Sequence, residues 1–185
     1  MTSPVLGVIP ARLGSTRLPR KPLHPLAGRP LIEWVWRRVV ALGLCDEVVV
    51  ATDSGEVAEV ARAFGARVEL TSPEHPSGTD RVAEVAAMPA FRGYDVVVNV
   101  QGDEPFIAAE TLRAATALVA VAGWEVGTAA APIRSVEEWL DPAAVKVALA
   151  DDGGALLFSR APIPFKRDGG PTAADLARGD FLRHV

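Results

Sequence analysis

Val5-Leu6-Gly7-Val8-Ile9, closed by Pro10, carries only apolar side chains, and a run with no polar face reads as a strand covered on both sides. The strongly basic loop that follows is therefore placed at a strand end. Leu31 to Leu42 repeats apolar residues at helical spacing, with Arg37 and Arg38 late in the run where cations favour a helix end, and Gly43 supplies the stop. Glu47 to Ala51 is again a β-branched run. Asp53 or Ser54 then offers an N-cap for a helix over 55–64, with Gly65 ending it. Arg67 to Leu70 is a short strand, Thr79 to Ala87 a helix with Pro89 beyond its end, and Asp95 to Val100 the clearest strand of the chain.

Strands separated by helices of this length imply parallel pairing and an α/β class. In the second half the alternation loosens. A helix is expected from Pro105 to about Val121, a strand from Val126 to Ala131, and a short helix or turn from Val136 to Leu140. Val145 to Leu149 and Leu156 to Ser159 flank Asp152-Gly153-Gly154 as a hairpin. The expectation is thus one domain over 1–185, built on a mixed, mainly parallel, Rossmann-like sheet flanked by helices. Lys166 to Asp180, rich in Gly, Asp and Arg with little apolar periodicity, reads as a mobile loop. Phe181-Leu182-Arg183-His184-Val185 follows it directly, an unusual place for a chain to stop.

The chain has 185 residues, 49% of them hydrophobic and 23% charged, enough for one sizeable core. A net charge of -4 excludes a broad phosphate-gripping face for nucleic acid, so any polyanion site is local. Cys45 is the single cysteine; it can form neither an intrachain disulfide nor a multi-cysteine metal site, and it reads as packing. The first ten residues lack a basic start and a small-residue cleavage site, and the Ala-rich stretch from Ala114 to Ile133 is broken by Gly123, Glu125, Gly127 and Pro132. No signal peptide and no membrane span are expected.

Against that acidic background, 11–32 holds Arg12, Arg17, Arg20, Lys21 and Arg29 and no acid. The loop leaves a buried strand, turns at Gly14 with Ser15 and Thr16, and is stiffened by prolines. Such a turn can cradle a polyphosphate with its N–H groups while the cations neutralise charge. A solvated basic loop is the plainer alternative, but five cations without counter-ions repel one another. Neither Walker-loop nor G-x-G-x-x-G spacing is present, which excludes the P-loop and dinucleotide classes. Asn99-Val100-Gln101-Gly102-Asp103-Glu104-Pro105 follows the clearest strand, placing Asp103 at a strand's carboxyl end, where ligand crevices open. A hard carboxylate beside a phosphate loop suits Mg²⁺, so Asp103 is the metal candidate.

With those segments in hand the sequence resembles the 3-deoxy-manno-octulosonate cytidylyltransferases, or CMP-KDO synthetases. The resemblance rests on IPARLGSTRLPRKPL (9–23), VVVATD (48–53), HPSGTDR (75–81), VVNVQGDEP (97–105), AVKVAL (144–149), FSRAPIP (158–164) and FLRH (181–184). It implies transfer of CMP from CTP to 3-deoxy-D-manno-octulosonate (KDO), giving CMP-KDO for lipopolysaccharide biosynthesis in the cytoplasm, by a Mg²⁺-dependent homodimer. The same resemblance makes Arg12, Ser15, Arg17 and Lys21 the triphosphate loop, with Arg12, Lys21 and Asp103 in the catalytic role. It assigns Ser77, Gly78 and Arg81 to the nucleotide, Gln101, Arg160 and His184 to the sugar, and Asp103 to the metal. A guanidinium at position 160 also makes chemical sense, since KDO carries a carboxylate that Arg grips bidentately. His24 and His75 receive no catalytic role. The family pattern continues beyond residue 185 with a further metal-binding aspartate and much of the dimer contact, so an incomplete chain is expected. A cytidylyltransferase for sialic acid or amino-KDO, and a non-catalytic CTP-binding fragment, are the rival readings.

Overall fold

The structure is a computed structural model that describes residues 3–14, 18–167 and 169–185. The chain gathers into two compact units, Met1–Glu125 and Val126–Val185.

The first unit runs β1 (Val5–Pro10), β2 (Pro25–Leu26), β3 (Arg29–Pro30), α1 (Leu31–Leu42), β4 (Glu47–Thr52), α2 (Gly55–Ala63), β5 (Arg67–Leu70), α3 (Gly78–Ala87), β6 (Val96–Asn99) and α4 (Ala109–Ala120), with one 3₁₀ turn at Lys21–Leu23 and another at Pro89–Phe91. Four strands form a parallel sheet in the order β5-β4-β1-β6, while β2 and β3 make a separate two-stranded ribbon. β1 is central, pairing Leu6 with Glu47 on one side and with Val97 on the other. Its alternation explains why it has no polar face. Leu6 and Val8 pack with Val82 and Val85 of α3, whereas Ile9 packs with Ile32, Val35 and Val39 of α1 and Val57 of α2. Gly43 closes α1 in the left-handed region at φ 62°, and Ser54 rather than Asp53 caps α2 by accepting from the Val57 N–H.

α4 begins at Ala109 and not at Pro105. Two turns come first, with Glu104 N–H on the Gln101 carbonyl at 3.2 Å and Ile107 N–H on the Glu104 carbonyl at 3.4 Å. Arg38 Nε then donates to the Ile107 carbonyl at 2.9 Å, tying this loop to α1.

The second unit contains β7 (Ala130–Pro132), α5 (Val136–Leu140), β8 (Lys146–Leu149), β9 (Ala155–Ser159), α6 (Ala173–Arg178) and β10 (Leu182–His184). Its strands form an antiparallel sheet in the order β7-β10-β8-β9. The parallel and antiparallel strands are therefore two separate sheets, not one mixed sheet. β7 is three residues long because its partner β10 is: Pro132 faces Leu182 and Ala130 faces His184. The expected mobile loop over 166–180 is corrected by α6. Its capping box joins the Thr172 hydroxyl to the Asp175 N–H and the Asp175 carboxylate to the Thr172 N–H, and Leu176 packs with Ile133, Trp139 and Phe181. Among the described residues no helix is long and apolar enough to cross a membrane.

Asp175 and Cys45 are among the groups whose proton affinities are displaced. A side-chain bond from Lys166 first, then the backbone and hydroxyl of Thr172, and then Arg178 hold the Asp175 carboxyl far below its ordinary value. A folded-state value below the unfolded one contributes stability above the ordinary carboxylate range and loses it as pH falls toward the folded value. The second unit should therefore lose hydrogen-exchange protection selectively below about pH 4, and Asp175→Asn should remove that acid-induced step; an unchanged acid profile contradicts the assignment. Burial, reinforced by the Asp46 carboxylate, pushes the Cys45 thiol up to about 11. Native chain treated with a thiol reagent at about pH 8 should stay unmodified and react only when unfolded; rapid native labelling would sink that reading.

Candidate active site

A pocket of about 280 Å³ opens where the carboxyl ends of β1 and β6 meet the first turn of α3. Pro10, Ala11 and Arg12 come from the end of β1, Lys21 and Pro22 from the 3₁₀ turn, Gly78 and Arg81 from α3, and Gln101, Gly102 and Asp103 from the turn after β6. Backbone bonds set these ends. The Ala11 N–H donates to the Ala51 carbonyl at 2.8 Å, and the Val100 N–H donates to the Val8 carbonyl at 2.9 Å, so both segments leave the sheet in step.

Close approach then decides two residue types. A Cβ on Gly102 would lie 2.6 Å from the Pro10 carbonyl oxygen, and one on Gly78 would lie 3.3 Å from the Pro10 ring. The first contact is impossible for any other residue without moving backbone; the second is tight. Pro10 is thus the post against which the turn and the helix end are set.

The lining holds three cations, Arg12, Lys21 and Arg81, and one carboxylate, Asp103. Arg12 is exposed and makes no hydrogen bond or ion pair among the described residues. Lys21 pairs with Asp103, Arg20 with Glu56, and Arg29 with Glu33 at 3.6 Å. The counter-ions that are missing locally in the basic loop thus come from α2, α1 and the turn after β6. Arg81 is 2% exposed and donates to Asp53 at 2.9 Å and to the Thr71 hydroxyl. Its guanidinium therefore ties the ends of β4 and β5 to α3 while its side chain lines the pocket. Ser77 caps α3, accepting from the Asp80 N–H at 3.2 Å. His75 bonds Glu84, whose carboxyl is held below its ordinary value first by that bond and then by the Ser72 N–H, so His75 fastens the preceding loop to α3.

Of the residues singled out from sequence, Arg12, Lys21, Gly78, Arg81, Gln101 and Asp103 line this one pocket. Ser15 and Arg17 lie outside the described residues. Arg160 and His184 belong to the second unit, where Arg160 Nη1 donates to the Pro142 carbonyl at 2.8 Å. His184 Nε2 shares a hydrogen bond with Thr128 Oγ1 at 2.7 Å and stands edge-on to Phe158. Asp53 and Thr71 were missed as pocket supports. Asp53 carries a signal, an acid directly after a strand of the first unit, but it competes with Ser54 as the helix cap.

Among the described residues no group of three or more His, Cys, Asp or Glu could hold a metal ion. The single Asp103 carboxylate fits a hard cation that arrives with phosphate oxygens and keeps waters, the usual manner of Mg²⁺.

A model of the cytidylyltransferase family matches residues 6–173. The chain belongs to the cytidylyltransferase family. Among curated members, the 3-deoxy-manno-octulosonate cytidylyltransferase of Gemmatimonas aurantiaca is 55% identical over 170 residues, covering 92% of this chain and 66% of that protein. The one of Vibrio vulnificus is 43% identical over 178 residues, covering 96% and 70%. The chain thus spans about two thirds of the length of these relatives. A solved structure of CMP:2-keto-3-deoxy-manno-octonic acid synthetase complexed with CTP superposes with a TM-score of 0.84 at 36% identity, covering 99% of this chain and 72% of the other. Within the cytidylyltransferases the similarity therefore falls on the KDO branch.

The steric reading of this cytidylyltransferase pocket predicts that Gly102→Ala will lower stability by about 1–3 kcal/mol, the usual result of overpacking, and weaken CTP binding, measured by thermal unfolding and calorimetric titration. Parent-like values in both would show that the turn after β6 can move away from Pro10.

Proposed function

We propose that this chain transfers CMP from CTP to KDO, releasing pyrophosphate. The observation that carries the reading is the meeting of Arg12, Lys21 and Arg81 with Asp103 at the carboxyl ends of parallel strands, in a chain whose curated relatives are named for this reaction. The anomeric hydroxyl of KDO forms a bond to the α-phosphorus as the bond from that phosphorus to the bridging oxygen breaks, and the electron pair leaves with pyrophosphate. The hydroxyl proton passes to solvent or to a base that the described residues do not identify.

The residues divide the work by charge. Arg12, exposed and without a partner among the described residues, is available to the triphosphate. Lys21 exchanges Asp103 for phosphate oxygens when the nucleotide enters, since a half-exposed ion pair is worth only about 0–1 kcal/mol and a polyphosphate offers a denser charge. Asp103, so released, is the residue that would hold Mg²⁺; the ion when bound offsets charge on the phosphates. Arg81 stays in its bonds to Asp53 and Thr71 and keeps the pocket wall in place. Gly78 brings the N–H groups of the first turn of α3 to the nucleotide, and Gln101 faces the sugar side. No covalent enzyme intermediate is required, because neutralising and positioning the reactants lowers the barrier directly. In the second unit, Arg160 grips the KDO carboxylate, and His184 of β10 is assigned to the same sugar. Homodimeric assembly and a cytoplasmic setting belong to the same proposal, as does supply of CMP-KDO to lipopolysaccharide synthesis.

Pyrophosphate release from CTP, Mg²⁺ and KDO tests the reading. Turnover is expected from the parent, with Asp103→Ala lower by about 10²- to 10³-fold and CTP affinity in the absence of metal little changed. Sialic acid turned over in preference to KDO would favour the other acid-sugar activity, and CTP binding without any pyrophosphate release would favour a nucleotide-binding role.

A further inference from the structure

Lys146, the first residue of β8, is completely buried, and among the described residues no carboxylate lies within ion-pair distance of it. Its ammonium instead donates to three backbone carbonyls, those of Asp141 and Ala144 at 2.7 Å each and that of Arg160 at 2.9 Å. Burying a lysine costs desolvation and side-chain freedom, which an apolar strand residue would avoid. Strand pairing does not require it, since β8 and β9 are already joined through Lys146 with Ser159, Val147 with Phe158 and Ala148 with Leu157. What the ammonium adds lies beyond the ladder, at Arg160, the first residue after β9.

Asp141, Pro142 and Ala144 belong to one turn after α5, stiffened by the Ala144 N–H on the Asp141 carbonyl at 3.2 Å and the Ala143 N–H on Asp141 Oδ1 at 2.8 Å. Arg160 is tied to that turn twice. Its carbonyl is held through Lys146, and its own Nη1 donates to the Pro142 carbonyl at 2.8 Å. Main chain and guanidinium are thereby referred to the same rigid segment. Arg160 itself is exposed, and a guanidinium has five N–H donors, so donors remain for a ligand.

We propose that Lys146 is a positioning residue that aims the Arg160 guanidinium at the carboxylate of the acid sugar. This rests on the reading of Arg160 given under the proposed function. The ammonium itself touches no substrate. It converts a mobile strand end into a fixed mount, so that the rotamer freedom of Arg160 is lost on folding and not on binding.

The test is an NMR titration of the whole chain with KDO, alongside Arg160→Ala and Lys146→Met, with CTP affinity measured on each. Arg160→Ala should abolish KDO binding. Lys146→Met should raise the KDO Kd by about tenfold while leaving the CTP Kd unchanged. In the parent, the ¹⁵N signal of the slowly exchanging Lys146 ammonium should shift on saturation with KDO and stay in place with CTP. If Arg160→Ala binds KDO like the parent, or the parent does not bind KDO, the assignment of Arg160 to the sugar is wrong and the proposal falls with it. If Arg160→Ala loses KDO but Lys146→Met keeps the parental Kd within about twofold, the sugar assignment stands and the positioning role is overturned. Should Lys146→Met fail to fold, the parental ammonium signal decides, and an unmoved signal under KDO rejects the proposal.

Discussion

The Pro10 carbonyl leaves no room for a side chain at Gly102, and the Pro10 ring leaves little at Gly78. Pro10 ends the central strand of the parallel sheet in register with Ala51 of β4, and that strand end is held by the Ala11 N–H on the Ala51 carbonyl on one side and the Val100 N–H on the Val8 carbonyl on the other. Because both neighbours are glycines, the turn after β6 and the first turn of α3 can come within van der Waals reach of it. Every lining group of the pocket is attached to one of the segments that meet there or to the 3₁₀ turn beside them. The chemistry of the site is thus anchored by backbone packing, and the charged side chains are carried on that frame.

Charge is arranged in two grades. The pairs Lys21 with Asp103, Arg20 with Glu56 and Arg29 with Glu33 are partly exposed, and pairs of that kind exchange readily because solvent screens them. Arg81 with Asp53 is different, since its guanidinium is buried and also holds Thr71. Breaking such a pair leaves a charge unpaired in a medium that solvates it poorly. Of these, the Lys21 and Asp103 pair and the fixed Arg81 line the pocket, so a readily exchanged pair stands beside a permanent one.

The second unit relies on fewer apolar residues, with Ile133, Trp139, Leu176 and Phe181 forming its buried cluster. Polar fastening compensates. Asp175 takes bonds from Lys166, Thr172 and Arg178, Arg183 pairs with Glu138 at 2.6 Å, and Lys146 gathers three carbonyls. A small core with directional bonds gives definite geometry to exposed groups such as Arg160 at the cost of sensitivity to acid.

Periodicity alone located β1, α1, β4, α2, β5, α3 and β6 to within a residue or two, because a doubly covered parallel sheet writes its burial directly into runs of apolar residues and its helices carry clear caps and stops. It failed over 166–180, where Gly, Asp and Arg masked Thr172-Ala173-Ala174-Asp175, a capping box that was present in the sequence but preceded only one turn and a half of helix. It also could not tell that the parallel and antiparallel strands form separate sheets, since pairing is a long-range choice that local pattern does not encode. The sequence by itself determined the α/β class, the basic loop, the placement of Asp103 at a strand end and the branch of cytidylyltransferases the chain resembles. Only the tertiary structure decided that Lys21 faces Asp103, that Arg81 is held by Asp53 and Thr71, and that Lys146 braces Arg160. Each of these joins residues distant in sequence whose meeting is set by strand order and steric fit, and neither spacing nor composition carries that information.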